Sequence, residues 1–486
     1  MVLSANKVTE RFDSTMVKLS QDKQATIYNR LEVGINDLRN FLIYYLRTKK
    51  DKTKKEPKST ILKKSMDFLR IAQMDVERLK NMDGVQDRVA ENMKKLQTYV
   101  QQTIHDLQNP ANCTAAPKLR CPLRNKYGLA SGVHILLWCL LEALRKGRTL
   151  VVDTSKWHYA PKNKWVKTFL PILGPSCADA DTRSTKKNPI PAAGRVRRDI
   201  VEIPSAIAEP LVANHGSPYA WWYGQLMRYI LRLQATTLKR ISDFKMSRGY
   251  KHPIVGVHIR RKDKIYVEAA RHDVQEYMVH VEDYYAKLSL TTHVETKRVF
   301  VATDEPSVVD EIRKKYPQYK VINNEVASLQ ASTRNTSRNN SALFGVMLDI
   351  TLLAESDFVV CTLSSGFCRV AYELMQTRHP DASLRVTSLD VEYFYAYNSF
   401  PPMKALYGNR PASARELGWP GAGVLIKRPG AGWAIATALF KRYNDGFNPG
   451  RLLSASKRSK SKQYPRFKTT QTYFVTNFKA FTAPLR

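Results

Sequence analysis

One stretch in the middle of the chain joins an apolar strand to a dense group of charges. Residues 254–259 (Ile-Val-Gly-Val-His-Ile) form an apolar run rich in β-branched side chains, which is typical of a strand buried on both faces. In an open α/β sheet, ligands bind beyond the carboxyl ends of the strands, so we expect a substrate directly after this run. The charged residues found there are Arg260, Arg261, Asp263, Lys264 and Glu268.

The residue types in this group suit the transfer of a group from a diphosphate. Guanidinium groups bind phosphate oxygens bidentately and stay charged at any pH, so Arg260 and Arg261 fit a pyrophosphate. A carboxylate close behind, such as Glu268, can accept a proton from an attacking hydroxyl. The alternative is a solvated charged loop, and this stretch alone does not decide between the two.

The segment that follows alternates between strand and helix patterns, as α/β proteins do. A strand at 298–304 ends on Asp304, and the small-residue turn Leu363–Gly366 precedes a helix whose N-terminus can bind an anion. We predict a Rossmann-type part over about residues 250–395. Its further predicted strands are 320–322 and 357–362, and its helices are 274–288, 308–316, 343–355 and 367–375.

Two other motifs lie earlier in the chain. The Gly-rich turn Tyr127–Gly132 leads into an apolar helix and could also bind phosphate. Asp179-Ala180-Asp181 matches the D-x-D pattern of metal-dependent glycosyltransferases, but it lies in a polar segment and not at a strand end. We therefore predict no metal site there.

The first 110 residues are predicted to be helical. After a first helix, two further helical runs cover 62–79 and 85–107 and are separated at Gly84. These patterns favour a stalk that dimerises, and the alternative is a self-contained helical hairpin. The four-three spacing of a coiled-coil seam in the first run is carried by Leu31, Ile35, Leu38, Leu42 and Tyr45.

The chain is strongly basic, with 78 Lys and Arg against 43 Asp and Glu and a formal charge of +35. Such a surplus suits nucleic acid, an anionic membrane surface or nucleotide diphosphates. Much of it lies in the first 110 residues and in the C-terminal tail, which weakens the case for a single nucleic-acid groove. We therefore predict no nucleic-acid partner.

The cysteines and the N-terminus bear on the cellular compartment. The number of cysteines is even, six, and many pairings are open from the sequence alone. The chain begins without the apolar segment of a signal peptide, and no transmembrane helix is predicted. Either the protein is soluble or an N-terminal anchor precedes this chain.

Several segments together resemble one known family. Residues 255–264 (V-G-V-H-I-R-R-K-D-K), 215–222 (H-G-S-P-Y-A-W-W) and 357–376 (D-F-V-V-C-T-L-S-S-G-F-C-R-V-A-Y-E-L-M-Q) are similar, in order, to the core α1,6-fucosyltransferases. Shorter matches at 276–282, 301–304 and 378–383 belong to the same set. That family transfers fucose from GDP-fucose to the innermost N-acetylglucosamine of N-glycans. It needs no metal, and it inverts the configuration of the transferred sugar.

The resemblance implies an architecture and a location. A helical coiled-coil stalk would cover residues 1–110, and a GT-B-like α/β catalytic domain would cover 111–400. A degenerate SH3-like β domain at 401–455 and a basic tail at 456–486 would follow. Family members are type II membrane proteins of the Golgi lumen, and we expect a homodimer formed through the N-terminal helices.

The resemblance also assigns roles to residues of this chain. Arg260 would hold the β-phosphate of GDP with support from Arg261, and Glu268, helped by Lys264, would deprotonate O6 of the acceptor. Ser365 would contact the diphosphate. The guanosine would lie among His258, Asp349 and Tyr159, and the pocket would be completed by Asp263, Tyr277 and Asp304. The implied disulfides are Cys113–Cys177, Cys121–Cys139 and Cys361–Cys368.

This chain departs from the family pattern mainly on the acceptor side. Gly432-Trp433-Ala434 stands where the family has His-Trp-Asp, and a family acid has no counterpart around residues 203–208. Near the donor site, Glu305 replaces an Asp and Lys262 replaces a small polar residue. The alternatives are therefore a fucosyltransferase with a shifted acceptor, such as a chitin-like oligosaccharide, and a GDP-sugar or glycan-binding protein with impaired catalysis.

Overall fold

The computed structural model describes most of the chain between residues 58 and 393. The described ranges are 58–123, 128–157, 159–160, 164–177, 192, 203–261, 271–332, 340–391 and 393, with parts of 25–39 and the strands at 424–426 and 434–436. All of them belong to the first of two compact units, Met1–Ala438, and the second unit, Leu439–Arg486, lies outside them. The predicted basic tail and most of the predicted SH3-like domain are therefore outside the described residues.

Helices and strands alternate mainly between Ile254 and Ser388, and the earlier part of the described chain is mostly helical. The helices are α1 (Lys58–Met82), α2 (Val85–Gln108), α3 (Leu129–Lys146), α4 (Ser205–Asn214), α5 (Pro218–Ile230), α6 (Ala235–Arg248), α7 (Val274–Leu288), α8 (Ser307–Lys315), α9 (Glu325–Ser332), α10 (Asn340–Glu355) and α11 (Gly366–Met375). The strands are β1 (Lys118–Pro122), β2 (Thr149–Asp153), β3 (Ile254–Ile259), β4 (Lys297–Thr303), β5 (Tyr319–Asn323), β6 (Phe358–Cys361), β7 (Val386–Ser388), β8 (Val424–Ile426) and β9 (Ala434–Ala436).

The main sheet is a parallel sheet with strand order β5-β4-β3-β6-β7. The chain runs outward from β3 through β4 to β5, then returns through α10 to place β6 on the other side of β3. This reversal makes the space between the carboxyl ends of β3 and β6 the topological switch point, where doubly wound sheets bind ligands. The predicted α/β class and parallel sheet are confirmed, whereas the GT-B assignment stays a prediction.

The central strand β3 is buried at every position, as its β-branched sequence predicts. Its alternate side chains point to opposite faces of the sheet. Val255 and Val257 pack with Tyr277 of α7 in one core cluster, whereas Gly256 lies against Leu353 of α10 on the other face. His258 shares the face of Gly256, so α10 and α11 cover the side of the sheet on which His258 lies.

The second N-terminal helix, α2, is part of the body's core. Its apolar seam, from Val85 to Leu107, is buried in the same cluster as residues of α3 and α5. The helix α1 joins α7 through two ion pairs, from Arg70 to Asp283 and from Glu77 to Lys287. On α1, Phe68 and Met82 are exposed by 73% and 82%. Within the described residues, the apolar face of α2 therefore packs against the core of the same chain. The stalk and the homodimer stay predictions.

Three disulfides connect elements of the body. They are Cys113–Cys177, Cys121–Cys139 and Cys361–Cys368, so the pairing implied by the family resemblance is confirmed. The second ties β1 to α3, and the third spans the turn between β6 and α11. Among the described helices, none has the length and apolar character needed to cross a bilayer.

Candidate functional site

The end of β3 carries two arginines that are organised by one acid of β4. The Arg260 Nε atom lies 3.3 Å from Asp304 Oδ2, and the backbone N–H of Arg261 donates to Asp304 Oδ1 at 2.9 Å. Asp304 is buried directly after β4, which neighbours β3 in the sheet. The Arg261 side chain is buried and donates to the carbonyl of His272. Asp304 thus fixes the place of a half-buried cation at the switch point.

His258, two residues before Arg260, is a buried and neutral ring. It stacks on Phe367 in the first turn of α11, with ring centroids 4.6 Å apart and planes inclined by 8°. Burial, with a smaller effect of Arg260, lowers the pKa of His258 to about 3. Its Nδ1 atom has no hydrogen-bond partner among the described residues. The ring therefore presents an apolar face and a neutral edge beside the switch point.

The turn from β6 into α11 is held from below by an acid that follows β7. Asp390 accepts hydrogen bonds from the hydroxyl of Ser364 and from the backbone N–H of the same residue. The next residue, Ser365, is the N-cap residue of α11 and is only partly buried. With the disulfide that spans this turn, these contacts set the position of the first turn of α11. The backbone N–H groups of such a helix start can bind an anion.

The two turns that were predicted to bind phosphate lie against each other. A Cβ built on Gly366, at the start of α11, would lie 3.2 Å from the Cβ of Ala130 at the start of α3. Each helix start carries about half a positive charge, so their convergence makes a strongly anion-attracting point in the fold. Residues 128–132 and 363–366, from the two sequence motifs, are thus adjacent in the structure.

Tyr159 is connected to the start of α3 through the ring of Trp157. Its ring lies 5.5 Å from the ring of Trp157, which is fully buried. Trp157 packs on Gly132, because a Cβ built there would lie 2.8 Å from the indole. Only glycine admits this close approach, which places Tyr159 near the first turns of α3.

Asp349 lies in the middle of α10 in an apolar setting. Burial raises the pKa of Asp349 to about 8, although a hydrogen bond from Asn324 opposes the rise. The Asn324 side chain donates to Asp349 Oδ1 at 3.0 Å and accepts from the backbone of Ala327. A carboxyl group of this kind changes charge near neutral pH, which is a common property of functional acids.

Tyr277 lies on the α7 side of the sheet, opposite the face that carries His258. It is buried on α7, and burial followed by the charges of Asp390 and Glu276 raises its pKa. The helix start below it is fixed by a capping box between Asp273 and Glu276. Tyr277 is therefore a neutral, buried ring near the start of α7.

Three of the predicted site residues cannot be placed. Asp263, Lys264 and Glu268 lie in residues 262–270, outside the described residues. The structure brings Arg260, Arg261, His258, Asp304, Tyr277 and Ser365 to the carboxyl edge of one sheet. In the part of the chain that is described, no group of three or more His, Cys, Asp or Glu side chains could hold a metal ion.

A family model matches most of this chain. The model for the N-terminal and catalytic domains of alpha-(1,6)-fucosyltransferase covers residues 4–394. The chain belongs to the alpha-(1,6)-fucosyltransferase family. The predicted resemblance is therefore confirmed, and the matched range includes every predicted site residue.

Curated members of this family show the extent of the similarity. The Drosophila melanogaster alpha-(1,6)-fucosyltransferase is 37% identical over 356 residues, which are 71% of this chain and 57% of that protein. The Caenorhabditis elegans alpha-(1,6)-fucosyltransferase is 29% identical over 337 residues, or 65% of this chain and 60% of that protein. The chain thus spans less than two thirds of the length of these two relatives.

Solved structures resemble this chain only distantly. The fucosyltransferase NodZ from Bradyrhizobium is 17% identical, with 52% of this chain and 92% of that chain covered and a TM-score of 0.33.

Sequence reasoning missed several residues that position the site. Asp390 was not singled out because the strand before it, β7, is only three residues long and leaves no clear pattern. The rule that acids follow strands would have identified Asp390 if β7 had been recognised. The contacts of Asn324 with Asp349 and of Ala130 with Gly366 join segments far apart in sequence, and no local pattern predicts them.

Proposed function

We propose that this chain is an inverting α1,6-fucosyltransferase that uses GDP-fucose as its donor. The observation that carries the proposal is the arrangement at the switch point. Asp304 fixes a cation at the end of β3, His258 of the same strand stacks on Phe367 in the first turn of α11, and the start of α3 adjoins that turn. Fixed cations and helix N-termini together are the chemistry that binds a nucleoside diphosphate.

At the phosphate end, Arg260 binds the β-phosphate and stabilises the charge that develops as GDP leaves. Its ion pair with Asp304 holds the guanidinium in place before the donor arrives, so little reorganisation is needed during the reaction. Ser365 and the backbone N–H groups of the first turn of α11 bind the remaining diphosphate oxygens. Arg261 supports this arrangement through its contacts with Asp304 and His272.

At the nucleoside end, two buried side chains, His258 and Asp349, favour the binding of guanosine. The neutral ring of His258 offers a stacking face and a hydrogen-bonding edge without a charge that would need solvation. Asp349, when ionised, accepts hydrogen bonds from the N–H groups of guanine, which adenine cannot supply in the same pattern. Tyr159, beside Trp157 at the start of α3, closes the opposite side.

The acceptor would be activated by the loop that follows Arg261. In the family motif, Glu268 removes the proton from the O6 hydroxyl of the innermost N-acetylglucosamine, and Lys264 and Asp263 assist. The hydroxyl then attacks C1 of fucose on the side opposite the leaving GDP. Such an in-line displacement inverts the configuration at C1 and needs a base on the acceptor side only.

The setting of the reaction follows from the family. We propose a Golgi-lumen enzyme that forms a homodimer through its N-terminal helices, acts on N-glycans of glycoproteins, and needs no metal or nucleic acid. The three disulfides support an oxidising compartment, because such bonds are rare in the cytosol.

A transfer assay tests the proposal. The purified chain is incubated with GDP-fucose and a biantennary N-glycopeptide, and mass spectrometry follows the addition of one deoxyhexose to the reducing-end N-acetylglucosamine. We expect transfer by the wild-type chain and a loss of roughly a thousandfold in the Glu268→Gln variant, with GDP binding retained. GDP-mannose is the donor control. Absence of transfer from a folded chain that binds GDP would overturn the proposed activity.

A second acceptor is favoured by the sequence departures on the acceptor side. Gly432-Trp433-Ala434 lacks the family His that contacts the glycan, which supports a shorter or different acceptor such as a chitin-like oligosaccharide. The same assay with chitin oligosaccharides beside the glycopeptide separates the two possibilities. Transfer to neither, with tight GDP binding, would identify a nucleotide-sugar-binding protein that has lost catalysis.

A further inference from the structure

A buried polar network links the two helices whose N-termini meet at the candidate site. His134 of α3 lies 3.1 Å, through its Nε2 atom, from Glu373 Oε1 of α11. The hydroxyl of Tyr393 donates to the same carboxylate oxygen at 2.8 Å. His134 and Glu373 are exposed by only 7% and 1%, so the network lies inside the body and not on its surface.

The hydrogen-bond pattern of His134 requires a proton shared with Glu373. The Nδ1 atom lies 2.8 Å from the carbonyl of Ala130, which can only accept, so Nδ1 carries a proton. The contact between Nε2 and the carboxylate then needs one further proton, on either the ring or the acid. In both cases the pair is neutral overall and both contacts are made. The ring is thus fixed at both nitrogens.

Ala130 connects the network to the meeting point of the helices. Its carbonyl accepts from His134, and its Cβ lies 3.2 Å from a Cβ built on Gly366. The network therefore lies one turn along α3 and two turns along α11 from the contact between the two helix starts. Any rotation or separation of α3 relative to α11 would break the bond from His134 to Glu373.

Stability alone gives a weak reason to keep such a network. A buried charged pair is generally no more stabilising than apolar side chains of the same size. Two helix starts placed side by side also repel each other, because both ends carry partial positive charge. A directional, fully buried link is suited to holding these two ends at a fixed spacing, which apolar packing specifies less strictly.

We propose that His134, Glu373 and Tyr393 are positioning residues that set the spacing between the starts of α3 and α11, and so the fit of the donor's diphosphate between them. The inference rests on the proposed function, because it takes the diphosphate to bind at these helix starts. It assigns no direct contact with the donor to the three residues. It predicts a larger effect on the diphosphate part of binding than on the nucleoside part.

The test compares GDP with guanosine by titration calorimetry on the full chain. His134→Leu removes both hydrogen bonds, whereas His134→Gln keeps a donor that can reach Glu373. We expect His134→Leu to weaken GDP binding about tenfold while guanosine binding stays within about twofold, and we expect His134→Gln to restore most of the loss. Leu140→Val, which trims a buried residue of the same helix, is the control for a general loss of stability.

The outcomes are distinct for the inference and for the proposed function. If the wild-type chain binds GDP no more tightly than guanosine, the diphosphate site itself fails, and the inference fails with it. If the wild type shows the difference but His134→Leu leaves the GDP-to-guanosine ratio unchanged, only the positioning role is overturned. The same holds if Leu140→Val lowers the ratio as much as His134→Leu, since the effect would then be general loosening. Melting temperatures of all variants are measured in parallel.

Discussion

The two ends of the candidate donor site differ in how they obtain their charges. The proposed phosphate end consists of groups whose charge does not depend on pH, namely Arg260 and the starts of two helices. The proposed nucleoside end consists of groups whose protonation is set by burial. His258 is held neutral with a pKa of about 3, and Asp349 has a pKa of about 8.

The two ends of the proposed site place different physical demands on one edge of the sheet. A diphosphate always carries negative charge near neutral pH, so permanent cations bind it under all relevant conditions. A nucleobase is recognised by the pattern of its hydrogen-bond donors and acceptors. The protonation states of the side chains that contact it therefore matter more than their net charge. We therefore expect phosphate binding to be insensitive to pH and nucleoside binding to be sensitive to it.

The largest effect is expected at the phosphate end, from Arg260→Ala. Removing the fixed cation should lower kcat/KM for fucosyl transfer by roughly a hundredfold or more and GDP affinity about tenfold, with guanosine affinity unchanged. Steady-state kinetics and calorimetry measure these quantities. Arg260→Lys keeps the charge but loses the bidentate fork, and it should fall between the two. Equal losses for GDP and guanosine would contradict the separation of the two ends.

The second effect is expected at the nucleoside end, from Asp349→Asn. Only the ionised carboxylate accepts both guanine N–H groups, so wild-type affinity for GDP should rise about tenfold between pH 6.5 and pH 8 and then level off. The variant should bind weakly at both pH values with no such rise. A wild-type affinity that is flat over this range would contradict the assigned role of Asp349.

The raised pKa of Asp349 also predicts how the stability of the fold depends on pH. Stability should fall as pH rises, whereas GDP affinity should increase. The raised pKa means that the folded state keeps a proton that the unfolded state loses above about pH 4, so this contribution is full at low pH and is lost as pH rises to about 8. Asp349→Asn should remove that loss. Denaturant unfolding at pH 5 and pH 8 would show the difference between wild type and variant growing at the higher pH.

A smaller effect is expected where the two helix starts touch, from Gly366→Ala. The added Cβ would lie 3.2 Å from Ala130, so the helix starts must separate by a few tenths of an ångström. We expect GDP affinity to fall by roughly threefold with guanosine affinity unchanged. The double change Ala130→Gly with Gly366→Ala relieves the contact and should recover most of the affinity. A double variant no better than the single one would show that the contact is not the cause.

The smallest effect is expected from His258 on stability at acid pH. Burial and the charge of Arg260 lower the pKa of His258 in the folded state. Below about pH 6.5 the unfolded state therefore binds a proton on this histidine, whereas the folded state does not. The stability contribution is therefore present above about pH 6.5 and is lost as pH falls toward 3. His258→Gln should reduce the fall in melting temperature between pH 7 and pH 5, and an unchanged fall would contradict a buried neutral ring.

Much of the sheet could be predicted from the sequence, and the reason lies in particular elements. β3 and α7 were predicted with the observed bounds, because β3 is an unbroken apolar run and α7 begins with a capping box. β7 was missed because three residues give no period, and α9 because its pattern is weak and short. Long elements with a strong hydrophobic pattern can therefore be predicted from the sequence, and short elements at the edge of a sheet cannot.

The candidate site was predictable in its residue types and less so in its supports. Arg260, Arg261 and Asp304 follow strands, and that position alone indicates a ligand edge. The protonation states of His258 and Asp349 depend on burial by helices that are distant in sequence. Asp390 hydrogen-bonds to the turn at Ser364, and only the folded structure brings these two segments together. The N-terminal seam of α2 also shows this limit, since its apolar period does not reveal that the partner is the same chain's body.

In the proposed site, one sheet edge binds a guanosine diphosphate through a pH-independent phosphate end and a pH-dependent nucleoside end. The decisive measurement is calorimetric titration of GDP and of guanosine into the wild-type chain at pH 6.5 and pH 8. We predict that both ligands gain affinity by the same factor at pH 8, so that the GDP-to-guanosine ratio stays constant. A ratio that changes severalfold between the two pH values, or guanosine binding that does not respond to pH, would contradict the account.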